Sequence, residues 1–179
     1  MILQNVYLDY NFDIFLNADY EANSGSCIKH QVLELTDIHK EYGGFPDTYK
    51  YENTMMHQLW WTADQIDFDN IGKQLNMEVI TVSTIKQPAG NVIPLHRDTF
   101  FKIKSQYPEK KDATIVRANI FLESWKVGHI IQYWNGLDFE TATHWKAGEG
   151  YLWDDKPIHI GANIGFEPKY TLQISGFYQ

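Results

Sequence analysis

Apolar and polar residues alternate along most of the chain beyond residue 77. A period of two is the signature of a half-buried strand. Glu78 to Ile85 alternates in this way and is rich in Val, Ile and Thr, which predicts a strand. Val92 to Asp98, Ala113 to Leu122, His129 to Trp134, Gly150 to Trp153, Ile158 to Asn163 and Tyr170 to Phe177 predict six more. Turn chemistry separates them, at Gln87-Pro88-Ala89-Gly90-Asn91 and at Asn135-Gly136. A polar, Lys-rich stretch over about 102–112 reads as a loop. Upstream the texture differs. Met55, Leu59, Trp60, Ile66, Ile71 and Leu75 recur near a period of 3.6, which predicts a helix over 54–75. Asp64, Asp67 and Asp69 weaken its middle. Residues 1–50 mix aromatic and acidic residues and read as irregular. Turns are expected there at Asn23-Ser24-Gly25-Ser26 and Tyr42-Gly43-Gly44-Phe45-Pro46.

Many short strands spaced by turns imply a sandwich or barrel, so the fold class is mainly β. The chain of 179 residues is long enough for one domain with a real core. No repeat, linker or low-complexity run divides it. Residues 78–178 are expected to form the β core, with 1–77 as an irregular and helical support that braces one sheet.

Composition narrows the function classes. Six Trp, 11 Tyr and 10 Phe favour sheets and the walls of small-molecule pockets. A net charge of −8 argues against a nucleic-acid partner, because phosphates would repel the chain. A single cysteine, Cys27, excludes an intrachain disulfide and a Cys-rich zinc site. The first residues lack the basic flank and apolar run of a signal peptide, and no stretch approaches membrane-spanning length. A reducing cytoplasm, with no membrane partner, is the expected setting.

The candidate chemistry centres on His96 and Asp98, in Ile93-Pro94-Leu95-His96-Arg97-Asp98. On a strand, residues i and i+2 share a side and can reach one ion. His159, in Pro157-Ile158-His159, is a second candidate imidazole. Two imidazoles and a carboxylate can hold one face of a ferrous ion and leave the other open. Each residue also has a plainer reading. Asp98 could cap a loop beside Thr99, and His159 could be a core histidine satisfied by backbone. Lys169 opens the last strand, where solvated lysines are common. Arg117 sits in Val116-Arg117-Ala118-Asn119-Ile120, and a buried guanidinium there needs an anion, from the protein or from a ligand. Asn119 shares its face and could donate to the same ligand. Gln132, Trp134, Trp153 and Gln173 are open between pocket lining and packing. His129 and His144 read as surface residues, and His30, His39 and His57 have no partner at metal spacing.

Taken together, these stretches resemble the 2-oxoglutarate/Fe(II)-dependent oxygenases. The nearest likeness is to the aspartyl/asparaginyl β-hydroxylase-like branch, including its phage and bacterial members. The matching runs are Pro88 to Asp98, Arg117 to Leu122, Trp145 to Gly150, Trp153 to Asp155, Ile158 to Asn163 and Pro168 to Gln173. Their order and spacing fit over residues 78–178. The resemblance implies a double-stranded β-helix, the cupin-like jelly roll. It implies His96, Asp98 and His159 as Fe(II) ligands, 2-oxoglutarate as co-substrate with O2, and Lys169 as the partner of its distal carboxylate. It points Arg117 and Asn119 at a carboxylate of co-substrate or substrate. The implied activity is a dioxygenase that hydroxylates an amino acid, a peptide side chain or a small metabolite, releasing succinate and CO2. Some relatives lack the carboxylate ligand, which this chain keeps as Asp98. Close relatives often carry Arg at the position of Lys169; lysine keeps the charge without the fork. The rival expectation is a metal-binding cupin-like isomerase or binding module without oxygenase activity.

Overall fold

A computed structural model describes residues 1–21, 25–26, 40–41, 43–44 and 46–179 of the chain. Its strands in chain order are β1 (Leu3–Tyr7), β2 (Gly25–Ser26), β3 (Met55–Trp61), β4 (Met77–Gln87), β5 (Val92–His96) and β6 (Ile115–Phe121). They continue with β7 (His129–Trp134), β8 (Phe139–Ala142), β9 (Glu149–Trp153), β10 (His159–Asn163) and β11 (Lys169–Tyr178). Helices are short: α1 (Asp13–Leu16), α2 (Tyr51–Thr54), α3 (Phe68–Leu75) and α4 (Phe101–Gln106).

The strands form two antiparallel sheets. The major sheet runs β1-β9-β6-β11-β4-β3-β2 and the minor one β5-β10-β7-β8. Facing each other, they make the mainly β jelly roll that the alternating pattern and the family resemblance imply. The period of two decides what each face of the major sheet does. On β6, Val116, Ala118 and Ile120 are fully buried and join the main core. That core includes Leu8, Phe15, Ile71 and Leu75, contributed by the N-terminal segment and α3. The alternate residues, Arg117 and Asn119, face the space between the sheets.

Several elements depart from the sequence reading. The helix expected over 54–75 splits: Met55–Trp61 is strand β3, and only Phe68–Leu75 is helical. β3 pairs along β4 from His57↔Lys86 to Trp61↔Val82, and that edge outweighs a weak helical period. Asp67 stops the helix from extending backward, because its side chain accepts the Asn70 amide as an N-cap at 2.9 Å. The stretch 102–112 is not a plain loop. It holds α4 and a 3-10 turn at Pro108–Lys110, and Ile103 is buried at 3% exposure. β1 and α1 lie within the segment read as irregular, β1 being held by pairing with β9. β8, after the Asn135-Gly136 turn, completes a hairpin with β7. Asn23, Ser24, Tyr42 and Phe45 of the two expected upstream turns lie outside the described residues, as do Cys27, His30 and His39. Among the described residues, no helix is long and apolar enough to cross a membrane.

Candidate metal centre and its cavity

His96 and His159 face each other across the minor sheet. They are paired Cα partners on β5 and β10, with ring centroids 4.2 Å apart. β5 ends at His96, so Asp98 lies two residues past the strand and not on it. Pro94 fits β5 because that strand is an edge. Ligand atoms of His96, Asp98 and His159 all lie within 4.8 Å of one another. Bonds to such donors are about 2.0–2.2 Å, so one ion fits after closure by about half an ångström.

The surroundings preset both rings. His96 Nδ1 lies 2.8 Å from the Pro94 carbonyl, and His159 Nδ1 lies 3.1 Å from the Pro157 carbonyl. A carbonyl only accepts, so each Nδ1 carries the proton and each Nε2 presents its lone pair. Burial pushes the His96 imidazole well below its ordinary pKa, to about 3, and the neighbouring His159 adds to the depression. Burial also lowers His159, against the opposing pull of Asp98. Both rings are neutral, as metal ligation requires. Metal affinity is therefore expected to stay flat as pH falls from 8 through 6.5, where free imidazoles would already compete for protons. Titrating Mn(II) at several pH values checks this. An affinity that declines with a midpoint near 6.5 would show ordinary histidines.

Asp98 is 5% exposed, and each of its oxygens accepts one hydrogen bond. Arg117 Nη1 donates to Oδ1, and the Trp153 indole donates to Oδ2 at 2.9 Å. Burial alone would raise the Asp98 pKa; Arg117, the two imidazoles and the Trp153 hydrogen bond outweigh it and hold the carboxyl low. Oδ2 lies 4.0 Å from His159 Nε2. Arg117 thus meets the anion that its sequence position demands, and that anion is the protein's own candidate ligand. Its Nε also donates to Ser175 Oγ at 3.0 Å, and its guanidinium lies 5.4 Å from the Phe100 ring centroid. Phe100 holds a left-handed φ of +51°, a strained conformation for a bulky residue, two positions after Asp98.

The three residues open on a cavity of about 510 Å³ between the sheets. Lys169, the first residue of β11, reaches into it and is 4% exposed. Its Nζ donates to the carbonyls of Ile130 at 3.0 Å and Ala162 at 3.1 Å. Among the described residues no carboxylate pairs with it, and burial pushes its pKa down to about 7. Two other lining residues carry orphaned buried atoms. Among the described residues Asn119 Nδ2 has no partner although Oδ1 accepts from Gln173 at 3.1 Å, and Gln87 Oε1 has none either. A buried cation without an anion and an unpaired amide donor mark a cavity shaped for a polar, anionic ligand.

Trp153 and Gln173 line this cavity; Gln132 bonds to Thr141 and Trp134 packs on Phe139 instead. His129 is not a surface residue: it is 3% exposed, with Nε2 3.0 Å from the Glu167 carbonyl. His57 lies 3.6 Å from Glu21, away from the three ligand candidates. Sequence reasoning missed Gln58, Trp60 and Ser83 of the wall and Arg97, Phe101 and Lys102 of the mouth. The signal was available in Met56, Gln58 and Trp60, which alternate as a strand should.

No family model matches the chain, and no curated protein matches it in sequence. Solved structures share its fold. The non-heme alpha-ketoglutarate-dependent carbocyclase SnoK of nogalamycin biosynthesis superposes with a TM-score of 0.56 at 8% identity, covering 98% of this chain and 79% of that one. A prolyl-4-hydroxylase from Pseudomonas putida gives 0.51 at 14% identity, covering 88% and 91%. The epimerase SnoN, solved with Fe3+, alpha-ketoglutarate and nogalamycin RO, gives 0.51 at 11% identity, covering 85% and 74%. The fold of this chain is thus one used by 2-oxoglutarate-dependent non-heme enzymes.

Proposed function

We propose that the protein is a non-heme Fe(II)/2-oxoglutarate-dependent oxygenase that hydroxylates a C–H bond of an amino acid, a peptide side chain or a small metabolite. The observation that carries this reading is a largely buried His-Asp-His cluster sharing one cavity with a buried lysine that has no carboxylate partner among the described residues. A simple metal-binding cupin has no use for that lysine. The motif order from Pro88 to Gln173 supports the aspartyl/asparaginyl β-hydroxylase-like branch.

His96 Nε2, His159 Nε2 and Asp98 would hold the iron. When bound, iron and 2-oxoglutarate supply the oxidising chemistry, in which 2-oxoglutarate loses CO2 to become succinate and one oxygen atom of O2 enters the substrate. The chain's own residues bind and orient. Arg117 and Trp153 fix the Asp98 carboxylate, so its lone pairs cannot swing away from the imidazoles. Lys169 directs its remaining N–H at the distal carboxylate of 2-oxoglutarate. Asn119 Nδ2 offers a donor to a second oxygen in the same space. The walls keep bulk water from the reacting carbon.

Wild-type protein should take up one Fe(II), or Mn(II) in its place, per chain and form succinate from 2-oxoglutarate with a matched substrate. His159→Ala should lose stoichiometric metal and all succinate formation. Metal uptake unchanged in that variant would remove His159 from the site. One metal per chain in the wild type, without binding of 2-oxoglutarate, would favour the cupin-like alternative.

A further inference from the structure

We propose that the substrate carries an anionic group of its own, held at the cavity mouth by Arg97 and Lys102 with an aromatic or flat body against Trp60 and Phe101. This deepens the oxygenase reading and rests on it.

The charge distribution is the starting observation. The whole chain carries −8, yet the cavity lining has four cations, Arg97, Lys102, Arg117 and Lys169, and one carboxylate, Asp98. Counted by formal charge, that is an excess of three positive charges. Ferrous iron adds two and 2-oxoglutarate removes two, so the loaded site keeps the same excess. Arg117 is committed to Asp98, and the co-substrate occupies Lys169. Arg97 and Lys102 remain. Both are exposed, and among the described residues neither forms an ion pair with an acid. Two cations without an acid partner among the described residues, lining an already positive cavity, gain from an anion that reaches them.

The same rim is aromatic. Trp60 is 55% exposed and Phe101 69% exposed, and both line the cavity. Lys102 Nζ sits 4.8 Å from the Trp60 ring centroid, so the cation and the stacking face meet across the mouth. Deeper in, the wall is amide and hydroxyl: Gln58 donates to Ser83 at 3.0 Å and Gln173 to Asn119 at 3.1 Å. Such a wall fits uncharged polar groups on the substrate body and leaves the anion to the rim. A phosphate and a carboxylate present the same chemistry to Arg97 and Lys102.

The probes are matched pairs: adenosine 5′-monophosphate with adenosine, and N-acetyl-tyrosine with N-acetyl-tyrosinamide. Each is titrated calorimetrically into protein first loaded with Mn(II) and 2-oxoglutarate. In at least one pair the anionic member should bind about tenfold more tightly, or better, and that preference should shrink at about 0.5 M salt. The responding pair tells phosphate from carboxylate. In the Arg97→Gln/Lys102→Gln double variant the preference should fall to about twofold or less, with Mn(II) stoichiometry and 2-oxoglutarate affinity unchanged. A preference retained in the double variant, equal binding of both members, or no binding in either pair overturns the proposal. The loading titration reports separately on the oxygenase reading. If Mn(II) or 2-oxoglutarate fails to bind, that reading falls, and the same pairs titrated into unloaded protein are judged by the same criteria.

Discussion

Lys169→Met is expected to stabilise the metal-free protein at neutral pH and to abolish useful affinity for 2-oxoglutarate. The ammonium is buried, accepted among the described residues by two backbone carbonyls, and its pKa is pushed from 10.5 to about 7 by burial. The sign follows from linkage. Between those two values the unfolded chain binds more protons at this residue than the folded one, so wild-type stability rises with pH across the window. Below pH 7 the whole cost of the buried charge is felt. At about 1.36 kcal/mol per pKa unit the cost is a few kcal/mol, offset in part because the carbonyls lose their donor in the variant. A net gain of about 1–3 kcal/mol at pH 7 is the expected result. Denaturant melts of both proteins from pH 6 to 10.5 should show the difference closing as pH rises. Calorimetry should show 2-oxoglutarate binding weaker by about 2–4 kcal/mol, with metal uptake intact. Equal affinity in the two proteins would place the carboxylate anchor elsewhere.

Arg117→Met should do the opposite to the fold. It strands the buried Asp98 carboxylate, whose remaining fixed donor is the Trp153 indole. Removing one partner of a buried pair costs about 3–5 kcal/mol, and the partial exposure of Arg117 argues for the lower end. Asp98 is held below its ordinary pKa in the wild type, so this stability is present above about pH 4 and lost as pH falls through the depressed value. The gap between variant and wild type should therefore narrow in acid. It should also narrow on adding Mn(II), because a bound cation replaces the missing guanidinium beside the carboxylate. Thermal melts with and without metal check both. A loss of stability that metal does not relieve would mean Asp98 does not share the ion. No loss at all would mean that the Arg117–Asp98 pair contributes nothing to the apo fold.

These two cations show where sequence reading stops. Arg117 was visible as a charge in an apolar run that demanded an anion, whereas Lys169 read as a strand-opening lysine to which only the family resemblance gave a carboxylate partner. Which anion is a tertiary fact. β6 stands beside β9, carrying Arg117 opposite Trp153, and the chain after β5 folds back to bring Asp98 to both. Among the described residues Lys169 received backbone carbonyls and no acid: Ala162 of the preceding strand β10, and Ile130 of β7, 39 residues away in sequence.

Residues 54–75 show the complementary failure. The helical period there was real but weak. Met55–Trp61 became a strand because β4 offered an edge, and hydrogen bonds along an edge outweigh local propensity. Gln58 and Trp60 thereby reached the cavity, on the face that the alternation of Met56, Gln58 and Trp60 marks once the segment is read as a strand. The Lys-rich stretch 102–112 hid α4 because one buried residue, Ile103, is too few to make a period.

The sequence by itself determined what local physics can encode. Alternation set the strands, Gly and Pro set the turns, and the residues of the metal cluster announced themselves by chemistry and order along the chain. Tertiary structure decided every relation between distant segments. It placed His96 opposite His159, gave Asp98 to Arg117, set Lys169 against the carbonyls of Ile130 and Ala162, and brought Trp60 to Lys102 at the mouth. Strand registers and sheet neighbours are fixed by burying one face of each sheet over the whole fold, and no window of the sequence contains that sum.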